Sequence, residues 1–278
     1  MPASLRTTAI LCAKEMRDAR RNRWFLLYAV AFSVLALALS YLSLAGAARV
    51  GFAGLGRTTA SLINLVLLVV PLMGLTLGSA AIAGERERGQ LLYTLAQPIS
   101  VGEYLLGKFL GLTASTFVAL LLGFGVAALA IGRRSGAAGA SSFAAFLALT
   151  LLLAAASVSL GLLISAMVER ASVATGLALF AWFAFVFVGD LGVMGTSLML
   201  RLEARHLLFM TLANPLQEFK LTAVLLLRGG LESLGPAGLY ATRTFGDSVL
   251  PLLVGLLAAW TVAPLGAALA VLRRRGAL

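Results

Sequence analysis

The stretch that decides the fold is residues 62–84, LINLVLLVVPLMGLTLGSAAIAG, which contains 23 consecutive residues without a formal charge. A helix needs about 20 apolar residues to cross the roughly 30 Å hydrocarbon core of a bilayer. The strands of a membrane β-barrel are shorter and alternate between apolar and polar residues. Residues 62–70 do not alternate in this way. The stretch therefore predicts a membrane-spanning helix.

The rest of the chain repeats this pattern. Hydrophobic residues make up 60% of the sequence and charged residues 12%, which is about half the charged share of a soluble domain and excludes a water-soluble globule. Six charge-free windows have 19 residues or more: 24–48, 58–84, 109–132, 135–168, 171–189 and 248–272. We predict an all-α integral membrane protein whose permease domain is 24–272, with spans at 24–48, 60–84, 105–131, 143–168, 171–193 and 248–272.

The distribution of positive charge predicts the orientation. An even number of spans puts both termini on one side, and that side holds 13 of the 22 Lys and Arg residues. Five of the other nine lie in the long connection between spans five and six, where charge weighs less in the positive-inside rule. We therefore expect a multi-pass protein of a bacterial inner membrane with cytoplasmic termini.

The chain before span one predicts a helix, not a cleavable signal peptide, since the first 23 residues are largely polar and basic. Leu5, Cys12 and Met16 recur at helical spacing, while Lys14 and Arg17 fall on other sides. Residues 1–23 are thus predicted to form a cytoplasmic amphipathic helix along the inner leaflet. It is either a simple positive-inside anchor or a docking element. The tail 273–278 is also predicted to be cytoplasmic.

The first internal connection, 85–104, predicts a short helix. Gly89 is suited to end the preceding helix, and Pro98 is suited to end the next one. Ser100 and Glu103 have the spacing of a capping box, which would begin span three. A short helix parallel to the membrane favours contact with a cytoplasmic partner over the alternative, an ordinary solvated loop.

The segment 196–247 is expected on the outer, periplasmic side. Its charge-free runs, 206–217 and 221–227, are too short to span a bilayer and are typical of interfacial or re-entrant helices. Asn214 and Pro215 predict a break between two such helices. The segment would shape an outer gate or bind a molecule outside the membrane.

Catalysis and tight metal binding are not predicted. Residues 102–108 have the G-x4-G-K spacing of a phosphate-binding loop, but Phe109 stands where Ser or Thr is needed and no strand precedes. One Cys and one His exclude a Cys/His metal site. Met194, Met199 and Met210 are weak candidates for a Cu(I) path, and packing is the commoner role of methionine. We expect no enzyme activity and no bound cofactor.

Five polar or helix-breaking residues are candidates for the transport pathway or its gate: Asn64, Thr76, Asp190, Asn214 and Pro215. A carboxylate within a span is often functional, but Asp190 near the outer interface is equally well a helix-end residue. Without an Asp/Glu/His relay across the bundle, a proton-coupled pump is disfavoured. The pairs Gly74–Gly78 and Gly107–Gly111 have GxxxG spacing, a weak signal for close helix contact.

Several of these stretches resemble ABC-2-type transporter permeases. The resemblance includes the basic entry to span one at 14–27 (KEMRDARRNRWFLL) and the first internal loop, with Glu85-x-Glu-x-Gly89 followed by Gln97-Pro98-Ile-Ser100. The order of six spans agrees as well. Within the family, 189–191 (GDL) and 214–220 (NPLQEFK) most resemble the permeases that belong to the copper-processing system of nitrous oxide reductase.

The resemblance implies a half-transporter that acts as a homodimer above a dimer of a separate ABC ATPase, which binds ATP and Mg²⁺. It implies coupling to that ATPase through Glu85, Glu87, Gly89, Leu91, Leu92, Leu95, Gln97 and Pro98. The narrower likeness implies export of a sulfur-containing species for assembly of a copper centre, with a β-helical protein on the periplasmic side. Other cargoes (a drug, a lipid or a polysaccharide) and a stand-alone secondary transporter or channel are the alternatives.

Overall fold

The structure is a computed structural model that describes residues 5–50, 52–189, 204–228 and 246–275. Secondary structure in these ranges is helical throughout, without a strand. The helices are α1 (Leu5–Arg21), α2 (Arg23–Val50), α3 (Phe52–Glu87), α4 (Gln90–Leu95), α5 (Val101–Met167), α6 (Ala171–Phe183), α7 (Ala204–Leu212), α8 (Pro215–Arg228) and α9 (Val249–Arg275). A π-helical segment, Ala184–Val188, extends α6, and a 3-10 turn, Gly246–Ser248, precedes α9.

The 67-residue helix α5 turns back on itself. The ring of Phe124 lies 5.8 Å from that of Phe143 and 5.9 Å from that of Phe146. In a straight helix, the 22-residue separation of Phe124 and Phe146 would correspond to about 33 Å. The helix therefore has two arms that pack against each other, Val101–Gly125 and Ser141–Met167.

Four helical stretches in the described ranges are long and apolar enough to cross a membrane: Ala60–Glu87, Val101–Gly125, Ser141–Met167 and Val249–Arg274. A fifth is obtained only if α1 and Phe25–Leu39 count as one span across a 72° bend, and Ala171–Phe187 is apolar but shorter. The all-α membrane architecture is confirmed. The count of six spans stays a prediction.

Three buried clusters order the bundle along its length. The largest draws on α2, α3, α5 and α8, with members such as Phe32, Val66, Leu120, Phe146 and Phe219. A second joins the C-terminal ends of α3 and α9 to both ends of α5, through Ile82, Leu272, Tyr104 and Ala166. We call this region the basic end. The third, Leu208, Leu221, Val249 and Leu253, packs α7, α8 and the start of α9 at the opposite end.

Small residues bring α3 against the second arm of α5. A Cβ atom added at Gly78 would lie 2.6 Å from the carbonyl oxygen of Val158, and one added at Gly161 would lie 2.7 Å from that of Leu75. One turn further on, the Ser165 hydroxyl accepts hydrogen bonds from the backbone N–H groups of Ile82 and Ala83. The Gly74–Gly78 pair thus lies at a close contact between two spans.

This contact makes a specific stability prediction. Replacing glycine by alanine inside a helix ordinarily stabilises it by about 1 kcal/mol. Gly78→Ala should instead destabilise the protein by roughly 1–3 kcal/mol, because its new methyl group meets backbone atoms of α5. The measurement is the melting temperature in detergent. Gly255→Ala is the matched control, since an added Cβ at Gly255 has no atom within 4 Å. Equal melting temperatures for the two variants would contradict the tight α3–α5 contact.

Candidate functional site

The loop at the basic end holds a short helix between two defined stops. Gly89 has a φ of +71°, a left-handed conformation that favours glycine, and it separates α3 from α4. The predicted capping box is confirmed: the Ser100 hydroxyl accepts a hydrogen bond from the Glu103 N–H, and the Glu103 carboxylate accepts one from the Ser100 N–H. The direction of α4 is therefore fixed at both of its connections.

Helix α4 has an anchored face and an exposed face. Leu91 is fully buried and Leu95 packs against the same cluster, beside the ends of α3 and α5. Leu92 and Tyr93 are 54% and 74% exposed. The predicted coupling residues therefore divide into two groups. Leu91 and Leu95 attach α4 to the bundle, whereas Leu92 faces outward together with the exposed residues that follow, Gln97 and Pro98.

A buried ionic cluster lies next to this loop and joins α1, α3 and α5. Glu85 Oε1 accepts from Lys14 Nζ at 2.6 Å and lies 3.1 Å from Lys108 Nζ. Lys108 Nζ also donates to Glu15 Oε1 at 2.7 Å. The Tyr104 hydroxyl donates to the second oxygen of Glu85 at 2.7 Å. We call Lys14, Glu15, Glu85 and Lys108 the four-charge cluster.

Burial makes each member of this cluster dependent on the others. The side chains of Glu15, Glu85 and Lys108 are 7%, 5% and 2% exposed, and only Lys14 reaches solvent substantially. Burial lowers the pKa of the Lys14 ammonium, but the hydrogen bond and charge of Glu85 outweigh this effect, so its pKa lies above the ordinary value. Removing one partner of a buried pair typically costs about 3–5 kcal/mol, because the other charge stays buried.

Glycines of α5 let α1 approach closely enough for the cluster to form. A Cβ added at Gly107 would lie 2.5 Å from Leu11 Cβ, and one added at Gly111 would lie 2.7 Å from the Cys12 carbonyl oxygen. Leu5, by contrast, is 87% exposed. The second GxxxG pair therefore contacts the N-terminal helix and not another span. The predicted position of residues 1–23 along the inner leaflet stays a prediction, and the structure adds that α1 packs against α5.

The end of α3 is also tied to the connection between α5 and α6. Arg86 Nη1 donates to the Val168 carbonyl oxygen at 2.9 Å. Glu87 Oε2 accepts a hydrogen bond from the Ala171 N–H at 3.0 Å, which satisfies a backbone donor at the start of α6. A displacement of the α3 end would thus act directly on α6.

At the opposite end, Asn214 connects α8 to the π-helical segment. Its Nδ2 donates to the Phe185 carbonyl oxygen at 2.7 Å, and its Oδ1 accepts from the Leu216 N–H at 2.9 Å. Pro215 is the first residue of α8, as its fixed φ favours. The sequence break at 214–215 therefore lies between α7 and α8, where Asn214 fastens the turn to the extension of α6.

Glu218 in α8 is a buried acid whose carboxylate has no hydrogen-bond partner among the described residues. It is fully buried, and neither of its carboxylate oxygens has a hydrogen-bond partner in the structure as described. Burial raises the pKa of this carboxyl from 4.5 to about 8. The side chain is therefore protonated at neutral pH, because an isolated carboxylate is too costly to bury.

The remaining predicted residues are scattered or lie outside the described ranges. Asn64 is exposed on α3, and the Thr76 hydroxyl donates to the carbonyl oxygens of Leu72 and Met73 in its own helix. Asp190, Met194 and Met199 are outside the described residues, and of Met210 only the backbone position in α7 is described. Where the chain is described, no group of three or more His, Cys, Asp or Glu residues is placed to hold a metal ion.

Neither the four-charge cluster nor the burial of Glu218 was predicted from the sequence. One signal for the cluster was available: Lys108 lies directly before a charge-free run and inside the predicted span 105–131, and a cation at that position requires a counter-charge. Only two acidic residues, Glu15 and Asp18, precede span one. Choosing between these and Glu85 requires the docking position of α1, which hydropathy does not contain.

The family profile and the individual relatives that match this chain are all ABC transporter proteins. The family profile described as "ABC-2 family transporter protein" matches residues 9–277. Two relatives, from Pseudomonas aeruginosa and Stutzerimonas stutzeri, are each described as "Probable ABC transporter permease protein NosY". They are 33% and 34% identical to this chain over 271 residues, which covers 95% of the chain and 97% of each relative.

Glu218 makes a pH-dependent prediction. Between pH 4.5 and about 8 the unfolded chain releases the Glu218 proton while the folded chain keeps it, so the stability falls as the pH rises through this window. Glu218→Gln removes this dependence. The variant should gain melting temperature relative to wild type on going from pH 5 to pH 8.5, by on the order of several degrees.

The control is Glu169→Gln, which changes an exposed carboxylate. The difference in melting temperature between Glu169→Gln and wild type should be similar at pH 5 and pH 8.5. If Glu218→Gln changed the melting temperature by the same amount at pH 5 and pH 8.5, Glu218 would be ionised in the folded protein.

Proposed function

This chain belongs to the ABC-2 transporter family, and we propose that it is the membrane-spanning permease subunit of an ATP-driven ABC exporter. We place its basic end, and both termini, on the cytoplasmic side of a bacterial inner membrane, as the charge distribution predicts. The observation that carries the mechanism is the two-faced helix α4. One face is anchored on α3 and α5, and the other exposes Leu92 and Tyr93.

In this proposal the exposed face of α4 docks on the ABC ATPase. Leu92 and Tyr93 supply the apolar and aromatic side chains that are enriched in the buried centres of protein interfaces. When two ATPase subunits close on ATP, they press on α4. The load then enters the bundle through Leu91, which is buried between the ends of α3 and α5.

Two sets of polar contacts distribute the load. The four-charge cluster makes the ends of α3 and α5 move together with α1, because separating them exposes unpaired buried charges. The contact between Glu87 and the start of α6 carries the displacement to that helix. From α6 the displacement continues into its π-helical extension, which a hydrogen bond from Asn214 connects to α8. Motion at the basic end thereby reaches the outer end.

ATP and Mg²⁺ belong to the separate ATPase in this proposal. Lys108 is the lysine of the stretch that resembles a phosphate-binding loop; its side chain is 2% exposed, and its ammonium lies between Glu15 and Glu85. It is therefore not presented to a nucleotide. This contact supports the assignment of the permease as the non-catalytic subunit.

We further propose that two copies of the chain form the pathway. The outward side of α6 exposes large apolar residues, among them Leu177, Phe180 and Phe183, at 46%, 70% and 50%. In a membrane such a face meets either lipid or a second copy. A homodimer built on α6 would bring together the two helices that receive the load from Glu87.

The cargo is proposed from the relatives. Because both are described as NosY permeases and match nearly the whole chain, we propose that the exported species contains sulfur and serves the assembly of the copper centre of nitrous oxide reductase. A periplasmic β-helical protein would receive it at the outer segment that includes α7 and α8.

The cargo proposal has a direct cellular test. A strain that lacks this chain should produce nitrous oxide reductase protein without the absorption of its copper–sulfide centre, and the intact gene should restore it. A full copper centre in the deletion strain would mean that the permease exports another cargo, and would leave the ATPase-docking proposal standing.

The docking surface is tested by charge substitution. Leu92→Asp and Tyr93→Asp should each reduce co-purification with the cognate ABC ATPase at least tenfold, because a carboxylate would be buried in an apolar interface. Leu92→Met is the matched control and should bind as wild type does. The melting temperature of the permease alone should stay within about 2 °C for all three, since these side chains are exposed. Full binding by both charged variants would place the docking site elsewhere.

A further inference from the structure

An open cleft bordered by α1, α2, α3, α5 and α6 lies beside the four-charge cluster, and the proposed function gives the cleft itself no role. The cavity nearer the basic end, which we call the lower cavity, has a volume of about 190 Å³ and lies between α1, α3 and α5. The upper cavity, of about 260 Å³, lies between α2, α3 and α6. Asn22, Leu77 and Ala80 line both cavities, so they form one continuous cleft that begins at the basic end.

Two exposed charges of opposite sign line the lower part of the cleft, beside a set of buried paired charges; the Nε of the exposed cation, Arg88, donates a hydrogen bond to Gln90 Oε1 at 3.4 Å. Glu15, Glu85 and Lys108 line it, but these belong to the four-charge cluster and neutralise one another together with Lys14. The other two charged residues of the lining, Asp18 and Arg88, are exposed, and neither forms an ion pair with a described residue. The lower cleft therefore presents a negative and a positive group to the same space.

The upper part is mainly apolar. Phe25, Leu77 and Leu179 line it, and the Thr76 hydroxyl is already used by carbonyl oxygens of its own helix. Thr76 and Arg88 are 12 residues apart on α3 and its end, which corresponds to about 18 Å along a helix axis. The cleft lining thus changes from charged to apolar with distance from the basic end, as a bilayer leaflet changes from headgroups to acyl chains.

We propose that this cleft is a binding site for a zwitterionic phospholipid of the leaflet at the basic end, with an ethanolamine headgroup. The ammonium pairs with Asp18, the phosphate pairs with Arg88, and one acyl chain lies along Phe25 and Leu179. An anionic headgroup without an ammonium leaves Asp18 without a partner and close to a phosphate. A choline headgroup has no N–H to donate to Asp18.

Bound in this way, the lipid would occupy the angle between α1 and α2, which meet at 72°. It would stabilise the docked position of α1 beside the four-charge cluster. The site is independent of the cargo and of the ATPase, because its lining includes neither the exposed face of α4 nor the outer segment.

Native mass spectrometry of the full chain in mild detergent tests the proposal. Phosphatidylethanolamine, phosphatidylcholine and phosphatidylglycerol with identical acyl chains are titrated separately. We expect one ethanolamine lipid per chain, bound at least fivefold more tightly than the other two. Asp18→Asn should reduce this preference to less than twofold, and Arg88→Gln should weaken all three phospholipids. Arg17→Gln, which changes an exposed cation of α1 outside the cleft, is the control and should bind as wild type does.

Two results would overturn the proposal. One is equal binding of the three phospholipids by wild type, which would mean only unspecific annular lipid. The other is an ethanolamine preference that survives Asp18→Asn. Soluble glycerophosphoethanolamine separates a lipid site from a headgroup site: it should fail to displace the bound lipid at equal concentration, and displacement would show that the apolar upper cleft contributes nothing.

Discussion

Four charges that are too costly to bury singly hold the basic end of this protein together. Glu15, Glu85 and Lys108 are almost completely removed from solvent, and their attraction offsets the cost of removal only while α1, α3 and α5 keep their positions. Tyr104 adds a hydrogen bond to the same carboxylate. This constraint holds α1, the end of α3 and the start of α5 together as one body, and the short helix α4 is attached to it through Leu91.

The rest of the bundle extends this constraint toward the opposite end. Gly78 and Gly161 bring α3 into backbone contact with the second arm of α5, so a shift of one span displaces the other. Glu87 links α3 to α6, and Asn214 links the π-helical extension of α6 to α8. The permease proposed here therefore needs no flexible relay. Packed helices and a few polar contacts connect α4 at the basic end to α8 at the opposite end.

The spans were predictable because lipid imposes a strict rule: a backbone in hydrocarbon must be helical and its side chains apolar over about 20 residues. The arms of α5, most of α3 and α9 followed from that rule. The short helix after Gly89 and the capping box at Ser100 followed from local turn and cap chemistry. These features depend on neighbours a few residues apart.

The four-charge cluster depends on residues that are far apart, since Lys108 and Glu15 are separated by 93 positions and Lys14 and Glu85 by 71. No local pattern specifies such pairs. The π-helical segment and the burial of Glu218 likewise follow from tertiary packing. The short helix of the first internal loop was predictable from the sequence, but the difference between the anchored Leu91 and the exposed Leu92 was not.

A double-mutant cycle between Glu15 and Lys108, measured by unfolding in detergent, tests whether buried charges hold α1 to α5. Glu15→Gln and Lys108→Met each remove one charge of a pair that lies 2.7 Å apart in a buried site. The account predicts strong coupling: the double variant should be less destabilised than the sum of the single variants by about 1–3 kcal/mol. Additive effects, within about 0.3 kcal/mol, would show that α1 is not held to α5 by these charges.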